Sequence, residues 1–187
     1  RDRSPSRGLG DVYKRQELST AAQMNIFNGY GDGTMGPNRS ITRQEAMIVI
    51  ARAFAVPDGT AADIQAFRDA SSVGSWAVAK VGGLVKAGIV NGDNGSLHPT
   101  ASITRAEIAQ MLYNLGLQFC SDAAALPASG RVIYTGAAPL TADAFTGTLY
   151  LGGPAGRDLG GMNITGTLVV RTDPNGTVTA VSYTHLR

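Results

Sequence analysis

Ile89-Val90-Asn91-Gly92, followed by Gly95-Ser96-Leu97-His98-Pro99 and then Ile103-Thr104-Arg105-Ala106-Glu107-Ile108, decides the fold because the chain says it twice. Upstream stand Ile26-Phe27-Asn28-Gly29, Gly33-Thr34-Met35-Gly36-Pro37 and Ile41-Thr42-Arg43-Gln44-Glu45-Ala46. Asn28 aligns with Asn91 and Thr42 with Thr104, so the glycine-rich turn between them is one position shorter in the second copy. Residue type, order and spacing recur together, which marks a tandem structural unit.

Each unit reads as helix, turn, helix. In the second copy Ser75 is the candidate N-cap of a helix from about Trp76 to Ala87, and Gly88 stands where a left-handed residue would end it. The run Asn91-Gly92-Asp93-Asn94-Gly95 then forces a tight reversal. Thr104 starts the next helix, and Glu107 three positions on completes a capping box. Ile108, Met111, Leu112 and Leu115 follow at the spacing of a buried stripe. The first copy repeats this with Thr42, Glu45 and the apolar positions Met47, Ile50, Ala51 and Phe54. Of its leading helix only a remnant around Leu18–Met24 is present.

The complete copy, from Phe67-Arg68-Asp69 through Trp76-Ala77 and Gly88-Ile89-Val90-Asn91-Gly92 to Ile103-Thr104-Arg105-Ala106-Glu107, resembles the S-layer homology family over roughly residues 24–116. That resemblance implies helical repeats, usually three, packed with pseudo-threefold symmetry. It also implies non-covalent binding of secondary cell-wall polymers, often through pyruvate ketals on the terminal sugar. Carried over by position, Arg43 and Arg105 are the anion-contacting arginines, while Asp69 and Trp76 shape the groove between adjacent repeats. Asn25 departs from the pattern, where the family usually has glycine, and His98 and Gly36 fall where the turn is more variable.

The residues support an anion site on their own terms. Arg43 and Arg105 lie in the first turn of a helix, where a cation is disfavoured by about 0.3–1 kcal/mol. A helix N-terminus with a guanidinium makes a cradle for a carboxylate, combining free N–H groups, dipole and a bidentate fork. The alternative is that each arginine pairs with an acid of the neighbouring repeat, such as Asp69. Thr42, Glu45, Thr104 and Glu107 read as capping residues. Trp76, the only tryptophan, either stacks on a sugar face or, as is commoner for a lone tryptophan at a helix start, joins the core.

Beyond Leu117 the composition changes. Ser121–Gly130 is rich in small residues, and short β-type runs follow at Arg131–Thr135, Gly147–Leu151, Gly166–Arg171 and Gly176–Ala180. Thr146-Gly147-Thr148-Leu149-Tyr150-Leu151 and Thr165-Gly166-Thr167-Leu168-Val169-Val170 nearly match, a short-period repeat within this region. Two readings are open: successive rungs of a β-solenoid, or the edge of a β-sandwich. The expected class is thus α + β in separate domains: a partial repeat over 17–54, a linker over 55–66, a complete repeat over 67–116, a linker over 117–130 and a β-rich region over 131–180.

Both ends read differently. Residues 6–16 and 181–187 resemble translated, oppositely oriented copies of the transposase adapter used to build shotgun DNA libraries, so 1–16 and 181–187 are set aside as adapter-derived. The whole chain carries a formal charge of +2, but residues 17–180 hold ten Lys and Arg against twelve Asp and Glu, a net of −2. The basic character lies in the ends, and the case for a nucleic-acid partner goes with it.

Other chemistries find little footing. A calcium loop sited with Gly33 at its sixth position ends on Arg39 instead of a glutamate, and its counterpart in the second copy begins on Val90. His98 and Cys120 are too few for a zinc site, and neither a Gly-x-Ser-x-Gly elbow nor a phosphate loop occurs. No catalytic residue, metal or cofactor is expected. No apolar run reaches the roughly 18–20 residues that span a bilayer, so membrane insertion is not expected. The expectation is a bacterial cell-surface module that binds cell-wall polysaccharide, with a further repeat missing from the fragment. Two alternatives stand beside it: a piece of a surface polysaccharide-degrading enzyme whose catalytic domain is absent, and a self-association module of a surface array.

Overall fold

The computed structural model describes residues 18–29, 34, 36, 38–140, 144–153, 157–159, 162–172, 178–179 and 182–186. They form two compact units. The first gathers the described residues up to Ala87 with Asn91–Ile103, and the second takes Gly88–Val90 with those from Thr104 onward.

The first unit is helical. It contains α1 (residues 18–23), α2 (Arg43–Ala53) and α3 (Val78–Lys86). The expected capping box at α2 forms: Glu45 Oε2 accepts from the Thr42 amide at 2.6 Å, and the Glu45 amide donates to Thr42 Oγ1 at 3.4 Å. Two orphan amide donors of the first turn are thereby satisfied. Met47, Ile50 and Ala51 are buried as expected, together with Ala46 and Ile48, and α3 packs against this face. Phe54 is only half-buried. Helix α3 begins later than its sequence suggests. Residues 75–77 first close a turn on Gly74, with the Ala77 amide donating to the Gly74 carbonyl at 2.8 Å, so Ala77 and not Ser75 occupies the cap. The helix ends as expected, with Gly88 at φ +70°. Asn25, its counterpart in the first copy, takes φ +55°, so the departure from glycine falls on a residue that tolerates the left-handed region.

Residues 55–66, expected as connecting sequence, are packed into the unit. Val56 and Ile64 are buried, and the Gly59 amide donates to the Ala79 carbonyl at 2.9 Å. Thr60 donates its amide and hydroxyl to Asp63 Oδ2 at 2.7 and 2.9 Å, starting a short 3-10 turn at Ala61–Asp63. The approach to α3 is so close that a Cβ on Gly83 would stand 2.1 Å from the Pro57 carbonyl oxygen.

The second unit contains α4 (Arg105–Asn114) and the strands β1 (Leu117–Cys120), β2 (Ser129–Tyr134), β3 (Ala144–Gly153), β4 (Arg157–Asp158), β5 (Asn163–Thr172), β6 (Val178–Thr179) and β7 (Ser182–Leu186). Helix α4 has the second capping box, Thr104 with Glu107. Of its expected apolar stripe, Met111 and Leu115 are buried and Ile108 half-buried, while Leu112 is 40% exposed. Among the described residues β1-β2-β3-β5-β7 form one sheet in that order, every pair parallel, and β4 pairs with β6, also parallel.

Two features of this sheet follow from the near-match of its strand sequences. Thr146↔Thr165, Leu149↔Leu168 and Leu151↔Val170 face each other in register, so equivalent side chains stack. Gly130, Gly147 and Gly166 also stack, all at φ between +120° and +141°, and a Cβ on Gly166 would meet the Gly147 carbonyl oxygen at 2.1 Å. No L side chain fits that ladder. Val132, Tyr134, Phe145, Leu149, Leu151, Ile164 and Leu168 alternate inward and join Leu140, Leu159 and Met162 in one core. All-parallel pairing departs from the antiparallel sheets of a β-sandwich. Strand β1 was not anticipated, and β7 falls within the segment set aside as adapter-derived; main-chain pairing needs no particular side chain.

Candidate functional site

The helical unit contains a pocket of about 430 Å³, within the ~300–1,000 Å³ range of small-molecule sites. Ile26, Phe27, Ile41, Ile48 and Val49 supply apolar lining, while Arg39, Arg52, Glu45, Asn28 and Trp76 contribute polar and aromatic edges. One helix face delivers much of this, since Glu45, Ile48, Val49 and Arg52 are spaced i, i+3, i+4, i+7 along α2. With its amide oriented to suit its neighbours, Asn28 accepts through its oxygen from Arg52 Nη1 and Nη2 at 3.2 and 3.3 Å.

Trp76 borders this pocket and is 61% exposed, so of the two readings open for it the core one does not hold. Its neighbours explain why. Val73 and Ala77 on either side are buried, so the backbone is anchored while residue 76 points away from the interior. An exposed indole beside an apolar cavity with guanidiniums suits a ligand with one apolar face and a negative charge.

The two arginines singled out by the repeat have different surroundings. Arg43 is buried, 7% exposed, and donates from Nε to the Leu97 carbonyl at 2.8 Å. Its amide donates to the Ala101 carbonyl at 2.8 Å, and the Gln44 amide to the Pro99 carbonyl at 3.0 Å. The outward presentation expected of Arg43 is therefore not observed; the turn of the second copy closes over the start of α2. Arg105, in the other unit, is exposed.

Asp69 is half-buried and holds the same turn from its other side, accepting from the Leu97 amide at 2.8 Å and the His98 amide at 2.7 Å. Burial pushes its carboxyl up, but the hydrogen bonds from Leu97, His98 and its own amide, aided by the charge of His98, outweigh this and hold it below the ordinary carboxylate value. The Leu97–His98 peptide is thus gripped at N–H by Asp69 and at C=O by Arg43, and Asp69 also takes the Leu97 amide. The direct pairing of Asp69 with an arginine weighed from the sequence is not what these bonds form; both side chains hold the main chain at Leu97.

Thr42, Glu45, Thr104 and Glu107 cap as expected, and Glu45 also lines the pocket. Sequence reasoning missed Arg39, Arg52 and the pocket itself. The α2 face spacing was a legible signal for Arg52; for Arg39 none was present.

Residues 10–47 and 66–109 match the family model of the S-layer homology domain. The Surface-layer 125 kDa protein of Lysinibacillus sphaericus is 32% identical over 104 residues, 53% of this chain and 9% of that protein. S-layer protein EA1 of Bacillus anthracis is 35% identical over 93 residues, 48% of this chain and 10% of that protein. The Amylopullulanase of Thermoanaerobacterium thermosulfurigenes is 31% identical over 114 residues, 59% of this chain and 6% of that protein. The chain therefore spans a tenth or less of the length of these relatives.

Proposed function

This chain carries S-layer homology repeats, and from that premise we propose that it moors a bacterial surface protein non-covalently to an anionic, pyruvylated type of secondary cell-wall polysaccharide. S-layer homology domains anchor surface proteins to the cell wall; they bind and do not catalyse, and they put the chain at the cell surface or cell wall. The observation that carries the finer reading is the exposed Trp76 indole beside an apolar pocket with the guanidiniums of Arg39 and Arg52 on its lining. A sugar ring offers its C–H face to the indole and its ketal carboxylate to the guanidiniums.

In this reading Arg105 is a separate anion contact belonging to the second repeat, while Arg43 and Asp69 act by holding the Leu97 turn. The partial repeat over 17–54 and the complete one over 67–116 are joined by 55–66. The parallel strands, which begin with β1 inside the stretch 117–130 expected as a linker, form a β-solenoid, the stalk or start of the passenger. Exposed Leu112 and Tyr113 on α4 support a further repeat in the parent protein. A second reading, a fragment of a polysaccharide-degrading enzyme, is favoured by the amylopullulanase and by the Endo-1,4-beta-xylanase A of Thermoanaerobacterium saccharolyticum, both of which match through the S-layer homology region.

The test is sedimentation of the full chain with purified cell-wall sacculi, before and after chemical removal of ketal-linked pyruvate. Trp76→Ala is expected to weaken binding by about tenfold, roughly 1.4 kcal/mol, and pyruvate removal to abolish it. Arg105→Ala is expected to weaken binding without loss of stability. Retention of both Trp76→Ala and Arg105→Ala at the wild-type level would defeat the anchoring site. Concentration-dependent oligomers with no sacculus binding would favour self-association instead.

A further inference from the structure

We propose that Gln44, acting through Gly74, is the positioning residue that sets Trp76 against its pocket. The start of α2 is held in place by the Arg43 and Gln44 amides, bonded to the Ala101 and Pro99 carbonyls. From that fixed point the Gln44 side chain, 7% exposed, accepts the Gly74 amide on Oε1 at 2.9 Å. Gly74 in turn is the surface on which the indole rests. A Cβ built there would stand 2.5 Å from Trp76 Nε1 and 2.9 Å from Cε2.

The contact therefore runs from the α2 N-terminus to the Gly74 peptide to the indole face. Trp76 is exposed, so its own packing does little to fix its rotamer; the bare Gly74 backbone beneath it and the buried flanks Val73 and Ala77 supply that constraint. Orientation matters because a ring that already lies in its bound rotamer loses less side-chain entropy on binding. The device reaches from the first copy, which supplies Gln44, to Gly74 and Trp76 of the second. The equivalent of Gln44 in the second copy is Ala106, which has no side-chain acceptor. The two repeats thus differ in a residue that sets the ligand-facing aromatic.

This inference rests on the anchoring reading for the nature of the ligand, but not for the positioning itself. Trp76 is the only tryptophan of the chain, so its fluorescence reports the site directly. In the full chain, Gln44→Ala is expected to lower Trp76 anisotropy and raise its quenching by acrylamide, with helical circular dichroism unchanged. Sacculus affinity is expected to fall about fivefold, the usual effect of one neutral hydrogen bond. Gln44→Met fills the space without an amide acceptor and should behave the same if the alanine variant folds poorly. Gln44→Glu keeps an acceptor oxygen at the same reach and should restore both readouts. Gly74→Ala should displace the indole with Gln44 intact and give the same fluorescence change. Folded Gln44→Ala and Gln44→Met chains with wild-type anisotropy and quenching overturn the proposal. A wild-type chain that never binds sacculi overturns the anchoring reading, while the fluorescence arms still decide the positioning.

Discussion

At the residue scale, Asp69 shows how one carboxylate can organise a turn. It receives two main-chain amides from Leu97 and His98, and the turn it holds includes His98 at φ +50°, the same left-handed conformation that its first-copy counterpart Gly36 adopts at φ +50°. Because the donors are backbone groups, the identity of residue 98 matters less than the acceptor at 69. Folding lowers the Asp69 pKa, so the folded chain binds fewer protons there than the unfolded chain. Its stabilisation is complete above the unfolded value of about 3.9 and is lost as pH falls through the lower folded value. Urea titrations followed by Trp76 fluorescence at stepwise lower pH should show this loss. Asp63, whose carboxyl the Thr60 amide and hydroxyl also hold low, contributes in the same direction. The diagnostic is therefore the difference between wild type and Asp69→Asn, which should be largest at neutral pH and shrink on acidification. A difference that does not vary with pH would count against this account.

At the element scale, the glycines of α3 invert an ordinary expectation. Gly→Ala in a helix interior normally gains about 0.5–1 kcal/mol. Gly83 faces the Pro57 carbonyl oxygen at a distance no Cβ can occupy, so Gly83→Ala must push the 55–66 segment off the helix. The expected result is destabilisation of about 1–3 kcal/mol, as for other overpacked sites, read as a lower thermal midpoint of the Trp76 signal. A raised midpoint would mean that segment is not held against α3. Helices α2 and α4 make a complementary point. Their capping boxes are the same and their sequences align, yet the positions buried on α2 at Ile50 and Ala51 correspond to Leu112 and Tyr113 on α4, which are 40% and 81% exposed. Local sequence starts a helix; what covers it is decided elsewhere.

At the scale of the whole molecule, a helical unit and a parallel-sheet unit each have their own interior, and the glycine ladder belongs to the second alone. Gly147→Ala places a Cβ 2.2 Å from the Gly130 carbonyl oxygen at φ +125°. It should cost the β-type circular dichroism while leaving the Trp76 unfolding midpoint within error of wild type; a joint shift of both would refute independent behaviour of the units. The sequence alone determined the tandem repeat, both capping boxes and the turn glycines, because each depends on a few residues close in the chain or on a period; for the strands it left solenoid rungs and a sandwich edge both open. Only the tertiary structure decided that Arg43 is buried and Arg105 exposed, that Trp76 stands outside the core, and that Gln44 reaches Gly74. Those outcomes depend on partners far along the chain, the Leu97 carbonyl for Arg43 and the Gly74 amide for Gln44, and identical Thr-Arg-x-Glu starts carry no record of which partner arrives.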